Sequence, residues 1–178
     1  MLKIIGIVLV VAVAGFLVYA AMQPEDFRIQ RSTTVNAPPE RIYPLITDFR
    51  GWGAWSPWEN KDPAMKRTFS EPASGVGAVY AWEGNKDVGT GKMTILEATA
   101  PGRVVIKLDF LKPLEGTSTA EFTLLPQGGT TTITWAMYGK NNFLAKAMCA
   151  FMDMEKMVGP DFEAGLAGLK AVAEKPAS

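Results

Sequence analysis

The sequence predicts an α+β fold: a curved seven-stranded antiparallel sheet wrapped around a long C-terminal helix, preceded by one transmembrane helix. Three patterns carry that expectation. A 19-residue uncharged run, Ile4–Met22, opens the chain. Seven segments then alternate apolar and polar side chains between turn residues. Finally, apolar residues recur at helical spacing from about Asn142 to Ala173.

The opening run is rich in Val, Ile, Leu and Ala. As a helix it spans just under the ~30 Å of a bilayer's hydrocarbon layer. Gln23-Pro24-Glu25-Asp26 ends it, and Tyr19 sits where an interfacial aromatic is expected. A cleaved signal peptide is the competing reading. Its apolar region spans roughly 7–15 residues before a small-x-small site, and Val18-Tyr19-Ala20 fits that poorly. Residues 1–23 are therefore expected to be an uncleaved anchor and residues 24–178 one domain. Lys3 favours a cytoplasmic N-terminus, whereas Arg28, Arg31 and Arg41 argue the other way. Large domains translocate largely regardless of charge, so the expected place is the cytoplasmic (inner) membrane, single-pass, with the domain on the extracytoplasmic side. The single cysteine, Cys149, fits that space.

Composition narrows the function. The 178 residues hold 18 basic and 18 acidic side chains. Without the anchor's Lys3 that becomes 17 against 18, a net charge of −1, and no basic run is present. Nucleic acid is therefore not an expected partner. No histidine occurs, which removes Ser-His-Asp and Cys-His nucleophile systems and His-ligated metals. One cysteine makes neither a disulfide nor a Cys-based zinc site. No cofactor, metal or catalytic residue is expected, and the balance leans toward binding.

Phe27–Val35 is the first expected strand. Asn36 is placed to cap a helix, with Pro38-Pro39 in its first turn and Ile42, Leu45 and Ile46 as its stripe. Residues 49–63 carry too much Gly and Pro for a long helix and predict a short helix or turns. Strands are expected at Met65–Ser70, Val76–Glu83, Val88–Ala98, Arg103–Lys112, Thr117–Leu125 and Thr130–Tyr138. The last pair is split at Pro126-Gln127-Gly128-Gly129, and such short connections favour hairpins. Leu144, Met148, Phe151, Val158, Phe162, Leu166 and Leu169 form the stripe of the terminal helix, which Gly159-Pro160 should kink or interrupt. One helix does not fill the concave face of such a sheet, which leaves a cavity lined by Trp, Phe, Met and Ile.

Candidate residues follow from these faces. Trp52, Trp55 and Trp58 either stack on a ligand or lipid or plug one end of the sheet. Trp82, Phe110, Phe122, Trp135, Met137, Phe151 and Met154 are candidates for the cavity wall, with ordinary core as the alternative for each. Met148, Met152, Met154 and Met157 give the helix adaptable apolar surface. Glu155 interrupts the stripe, and Glu155 or Tyr80 would supply a polar group inside the cavity; the more common fate of such a Glu155 is to reach past the stripe edge to solvent or to pair with Lys. The Trp52–Trp58 segment and the helix start near Phe143 and Leu144 are expected to flank the entrance.

Several stretches bring a family into view. Val35-Asn36-Ala37-Pro38-Pro39-Glu40-Arg41-Ile42-Tyr43 resembles the V-x-A-P-x-E-x-V/I-[FY] opening of the START-like (SRPBCC) superfamily. Phe49–Trp58 resembles the W-x-x-W-S-P-W run of its bacterial polyketide cyclase/dehydrase branch. Gly75-Val76-Gly77, Tyr80–Gly84, Gly89-Thr90-Gly91 and Asp161–Lys170 match later patterns of that branch. The resemblance covers Arg28 to about Ala173 and implies the helix-grip fold, with lipids, sterols, polyketides or other apolar molecules bound under the terminal helix. The implied function is a membrane-tethered binding or transfer module for a hydrophobic small molecule or lipid, with the membrane itself a partner through the N-terminal helix. An enzyme of the cyclase/dehydrase type and a non-catalytic envelope interaction protein with a closed cavity are the alternatives.

Overall fold

A computed structural model of the chain describes residues 2–141, 143–149 and 153–176, with Leu2 and Cys149 described by backbone alone. Helix α1 (Leu2–Ala21) is exposed along almost all of its length. At 1.5 Å per residue its 20 residues span about 30 Å, long enough and apolar enough to cross a membrane. Ala20, in its last turn, is buried.

The sheet holds β1 (Asp26–Val35), β2 (Lys66–Phe69), β3 (Val79–Glu83), β4 (Thr90–Thr99), β5 (Arg103–Lys112), β6 (Gly116–Gln127) and β7 (Thr130–Lys140). Its order is β1-β7-β6-β5-β4-β3-β2, with every neighbour antiparallel. Alternation sends Val104, Ile106, Ala120, Phe122, Leu124, Ile133, Trp135 and Met137 to the covered face, as the period of two requires. Two boundaries differ from expectation for reasons of backbone geometry. Gly75 and Gly77 adopt φ of +77° and +86°, so the third segment becomes extended only at Val79. Pro126 and Gln127 stay in β6, and the chain reverses on Gly128 and Gly129 at φ +54° and +92°.

Helix α2 (Pro39–Thr47) starts without the predicted cap. Pro38 occupies the cap position, and Asn36 instead donates its backbone N–H to Glu174 Oε1 at 2.7 Å. A 3₁₀ turn (Phe49–Ala54) and α3 (Pro57–Lys61) fill the Gly- and Pro-rich stretch. The terminal helix is two helices, α4 (Phe143–Cys149) and α5 (Met154–Ala173).

The expected interruption at Gly159-Pro160 is absent, and α5 runs through both residues. Its start is set by Asp153, whose side chain accepts from the N–H groups of Glu155 and Lys156. Glycine makes room where α5 meets other groups: a Cβ on Gly159 would lie 2.2 Å from Arg31 Nη2, and one on Gly168 would lie 2.6 Å from the Trp55 carbonyl oxygen. Phe162, Leu166, Leu169 and Ala173 bury the inner stripe of α5 against the sheet. This is the α+β helix-grip arrangement.

Candidate functional site

Strand register lays the covered face out in rows. One row joins Val104, Phe122 and Trp135, and the next joins Ile106, Ala120 and Met137. Tyr80, Met93, Leu108 and Ser118 form a third, and Trp82 and Phe110 stand one step further, on either side of Gly91. Between these upper rows and α5 lies a cavity of about 590 Å³.

The Trp135 row closes the cavity at one end. The Trp135 ring stacks on Phe162 at 4.3 Å and 7°, and on Phe122 at 4.8 Å and 25°. Trp55 and Trp58 meet it edge-on at 5.8 and 5.6 Å. Trp135 Nε1 is buried there with no hydrogen-bond partner among the described residues, at a cost of about 1–3 kcal/mol. The opposite end is open. The β3–β4 turn, the β5–β6 turn and the β7–α4 connection all lie at that end of the sheet, and so does the start of β1. Leu114 and Leu144 line the cavity there, yet Leu144 remains 53% exposed. Helix α4 packs against α1.

Of the predicted residues, Trp52, Trp58, Tyr80, Trp82, Phe110, Trp135, Met137 and Met154 line the cavity. Trp55 and Phe122 are buried behind the closed end rather than on the wall, because the aromatic stack fills the space in front of them. Trp52 and Trp55 are equally far from being an entrance. Their indole N–H groups donate to the backbone oxygens of Ile46 and Leu45, both at 3.0 Å. Glu155 points away from the cavity and pairs with Arg31 at 2.5 Å, with Glu163 on the same guanidinium at 2.7 Å. Phe151 and Met152 lie outside the described residues.

The polar group that sequence reasoning missed is Glu59, on α3. It lines the cavity with its side chain only 9% exposed. The Tyr80 hydroxyl donates to Glu59 Oε1 at 2.6 Å, and Arg67 Nε donates to Glu59 Oε2 at 2.6 Å. Burial, and then the Glu59 carboxylate, push the Tyr80 pKa well up, so Tyr80 is a neutral phenol near pH 7 and no base. Lys61 and Asp161 also line the wall, paired at 2.6 Å. The available signal was an acidic residue directly after Trp58 in a proline-started turn. Among the described residues, no group of three or more His, Cys, Asp or Glu could hold a metal ion. Around Glu59 the site offers apolar surface, a hydrogen-bonded carboxylate, a tied-up phenol and the Lys61–Asp161 ion pair.

No curated protein matches the chain at a significant level. Solved structures do. Protein CV1439 from Chromobacterium violaceum aligns with a TM-score of 0.59 at 18% identity, covering 86% of this chain and all of that one. The di-domain ARO/CYC BexL from the BE-7585A biosynthetic pathway gives 0.60 at 20% identity, over 89% of this chain and 53% of that one. Truncated norcoclaurine synthase from Thalictrum flavum gives 0.60 at 12%, over 85% and 96%. Similarity at these identities establishes the fold and no more. The model of the family described as polyketide cyclase / dehydrase and lipid transport matches residues 26–174, the whole of the sheet and of α5. The chain therefore belongs to the polyketide cyclase/dehydrase and lipid transport family of the START-like (SRPBCC) superfamily.

Proposed function

We propose that this protein binds a hydrophobic small molecule or lipid in the cavity beneath α5, and that α1 holds it at the cytoplasmic membrane so that the ligand enters from the bilayer. One observation carries the reading: the cavity opens at the end of the sheet where α1 feeds β1. Only four residues, Met22–Glu25, separate α1 from β1, a reach of about 14 Å when fully extended. The contact of α4 with α1 further supports a mouth beside the membrane surface. About 590 Å³ is within the roughly 300–1,000 Å³ range of small-molecule sites. Cyclase-type chemistry has less support, because the Tyr80 proton is committed to Glu59 and Glu59 is held by Arg67. The same proposal puts the domain on the extracytoplasmic side, which protease accessibility in intact spheroplasts would check.

The test is native mass spectrometry of the full chain released from nanodiscs made of its host lipids. Retained apolar molecules are expected. Leu144→Asp, at the mouth, should slow their uptake severalfold while leaving the melting temperature unchanged. A wild-type chain that always emerges empty, or uptake by the Leu144→Asp variant at the wild-type rate, would defeat the proposal.

A further inference from the structure

Resting on that reading of the cavity, we infer that Glu59 is the acceptor for the hydroxyl group of an uncharged amphiphile, and that the cavity selects such a ligand over the carboxylic acid of the same chain length. A hydroxyl carried into an apolar cavity is penalised if it finds no partner. Glu59 is placed to prevent that. A carboxylate offers about four lone-pair positions, of which Tyr80 takes one on Oε1 and Arg67 one on Oε2. The remaining acceptor capacity belongs to a side chain on the cavity wall.

Nothing at this spot welcomes an anion. Arg67 is not part of the wall. Its Nε is on Glu59 and its Nη1 donates to the Met65 carbonyl oxygen at 2.6 Å. Lys61 is already paired with Asp161. Among the described residues, the charged side chains lining the cavity are Glu59, Asp87, Glu115 and Asp161 against Lys61 and Lys140, an acidic excess of two that falls to one when Arg67, paired with Glu59, is counted. A ligand carboxylate would meet that excess at low dielectric with, among the described residues, no free cation beside Glu59. An ammonium head gains less than the acidic wall alone implies, because Arg67 already balances Glu59. A neutral donor is the head group that fits.

All five tryptophans belong to the domain and none to α1, and Trp58, Trp82 and Trp135 line the cavity. Their fluorescence therefore reports a bromine atom carried into it. The experiment titrates the full chain in nanodiscs with bromodecanol and with bromodecanoate. Each ligand is corrected for its measured partition into protein-free nanodiscs. Wild type should prefer the alcohol by at least about tenfold, the lower end of the worth of one hydrogen bond to a charged acceptor. Glu59→Gln should lose that preference, because the carboxamide is uncharged and leaves Arg67 without its partner. Tyr80→Phe frees a further lone pair on Glu59 and should keep the preference, which holds the test open if the first variant fails to fold. Equal binding of acid and alcohol by wild type overturns the inference while leaving cavity binding intact. So does an unchanged ratio in Glu59→Gln, or a ratio lost in Tyr80→Phe. Absence of quenching by either ligand overturns both.

Discussion

The two ends of the cavity are built from similar residues and behave differently. At the closed end Trp52, Trp55, Phe122, Trp135 and Phe162 cover one another, and all are buried. At the open end Leu114, Phe143 and Leu144 are as apolar, yet about half of each is exposed. Composition does not separate the two; what each residue meets does. The closed end has α5 and the 3₁₀ turn laid across the sheet. The open end has turns and the short α4, which is itself in contact with α1.

The strongest way to break this contrast is to empty one position at each end. Trp55 is 4% exposed and sits against Trp52, Phe122 and Trp135. Trp55→Ala should cost about 3–5 kcal/mol in urea unfolding, through lost burial, a cavity and an orphaned Leu45 carbonyl oxygen. Leu144→Ala should stay within about 0.5 kcal/mol, as exposed positions do. Comparable losses at the two sites would mean that the mouth is packed after all.

A smaller effect separates two glycines on α5. Gly168, beyond the closed end, faces the Trp55 carbonyl oxygen at 2.6 Å from a would-be Cβ, and backbone cannot step aside cheaply. Gly168→Ala should destabilise by about 1–3 kcal/mol. Gly159, nearer the mouth, meets only the tip of the Arg31 side chain. To make room that guanidinium must shift against its pairs with Glu155 and Glu163, which are exposed and therefore weak, and alanine's better helix propensity offsets up to about 1 kcal/mol, so Gly159→Ala should be near neutral. Thermal melts of both variants decide it: a Gly159→Ala loss as large as that of Gly168→Ala would show that Arg31 is fixed, not mobile.

The sheet was legible because alternation and turn chemistry are local. Arg103–Lys112 coincides with β5 to the residue. The terminal helix was half legible, since periodicity finds a stripe but cannot see that Asp153 starts a new helix within it. Pro160 looked like the break, yet a single missing N–H is tolerated when Phe162, Leu166 and Leu169 hold the helix to the sheet. The wall was partly legible for the same reason: alternation says which side chains point inward, not how far down the cavity extends. Phe122 and Trp135 are cross-strand partners, but only Trp135 reaches the open space. Glu59 was invisible because its role depends on Tyr80 and Arg67, which approach it from strands 21 and 8 residues away.

The mildest prediction concerns the outer face behind the closed end. There Glu121 lies beside Ala136 and Val105, accepts from Arg103 Nε at 3.1 Å, and accepts from the Tyr138 hydroxyl at 2.9 Å. The Arg103 hydrogen bond, helped by Tyr138, holds its pKa below the ordinary carboxylate range against the opposing push of burial. A depressed folded-state pKa contributes stability that is fully present above the unfolded value of about 4.3 and is lost as pH falls through the folded value. Arg103 is itself 42% exposed, so screening keeps the contribution to about 1 kcal/mol or less. Glu121→Gln should therefore unfold at lower urea than wild type at pH 7, and the gap should narrow as the solution is taken below about pH 4. The open end offers the control: Leu144→Ala carries no titrating group, so its small gap from wild type should be the same at both pH values. A Glu121→Gln gap that is equally wide at pH 7 and pH 3 would mean that the closed end gains nothing from the charge, and that only the shape of the side chain matters there.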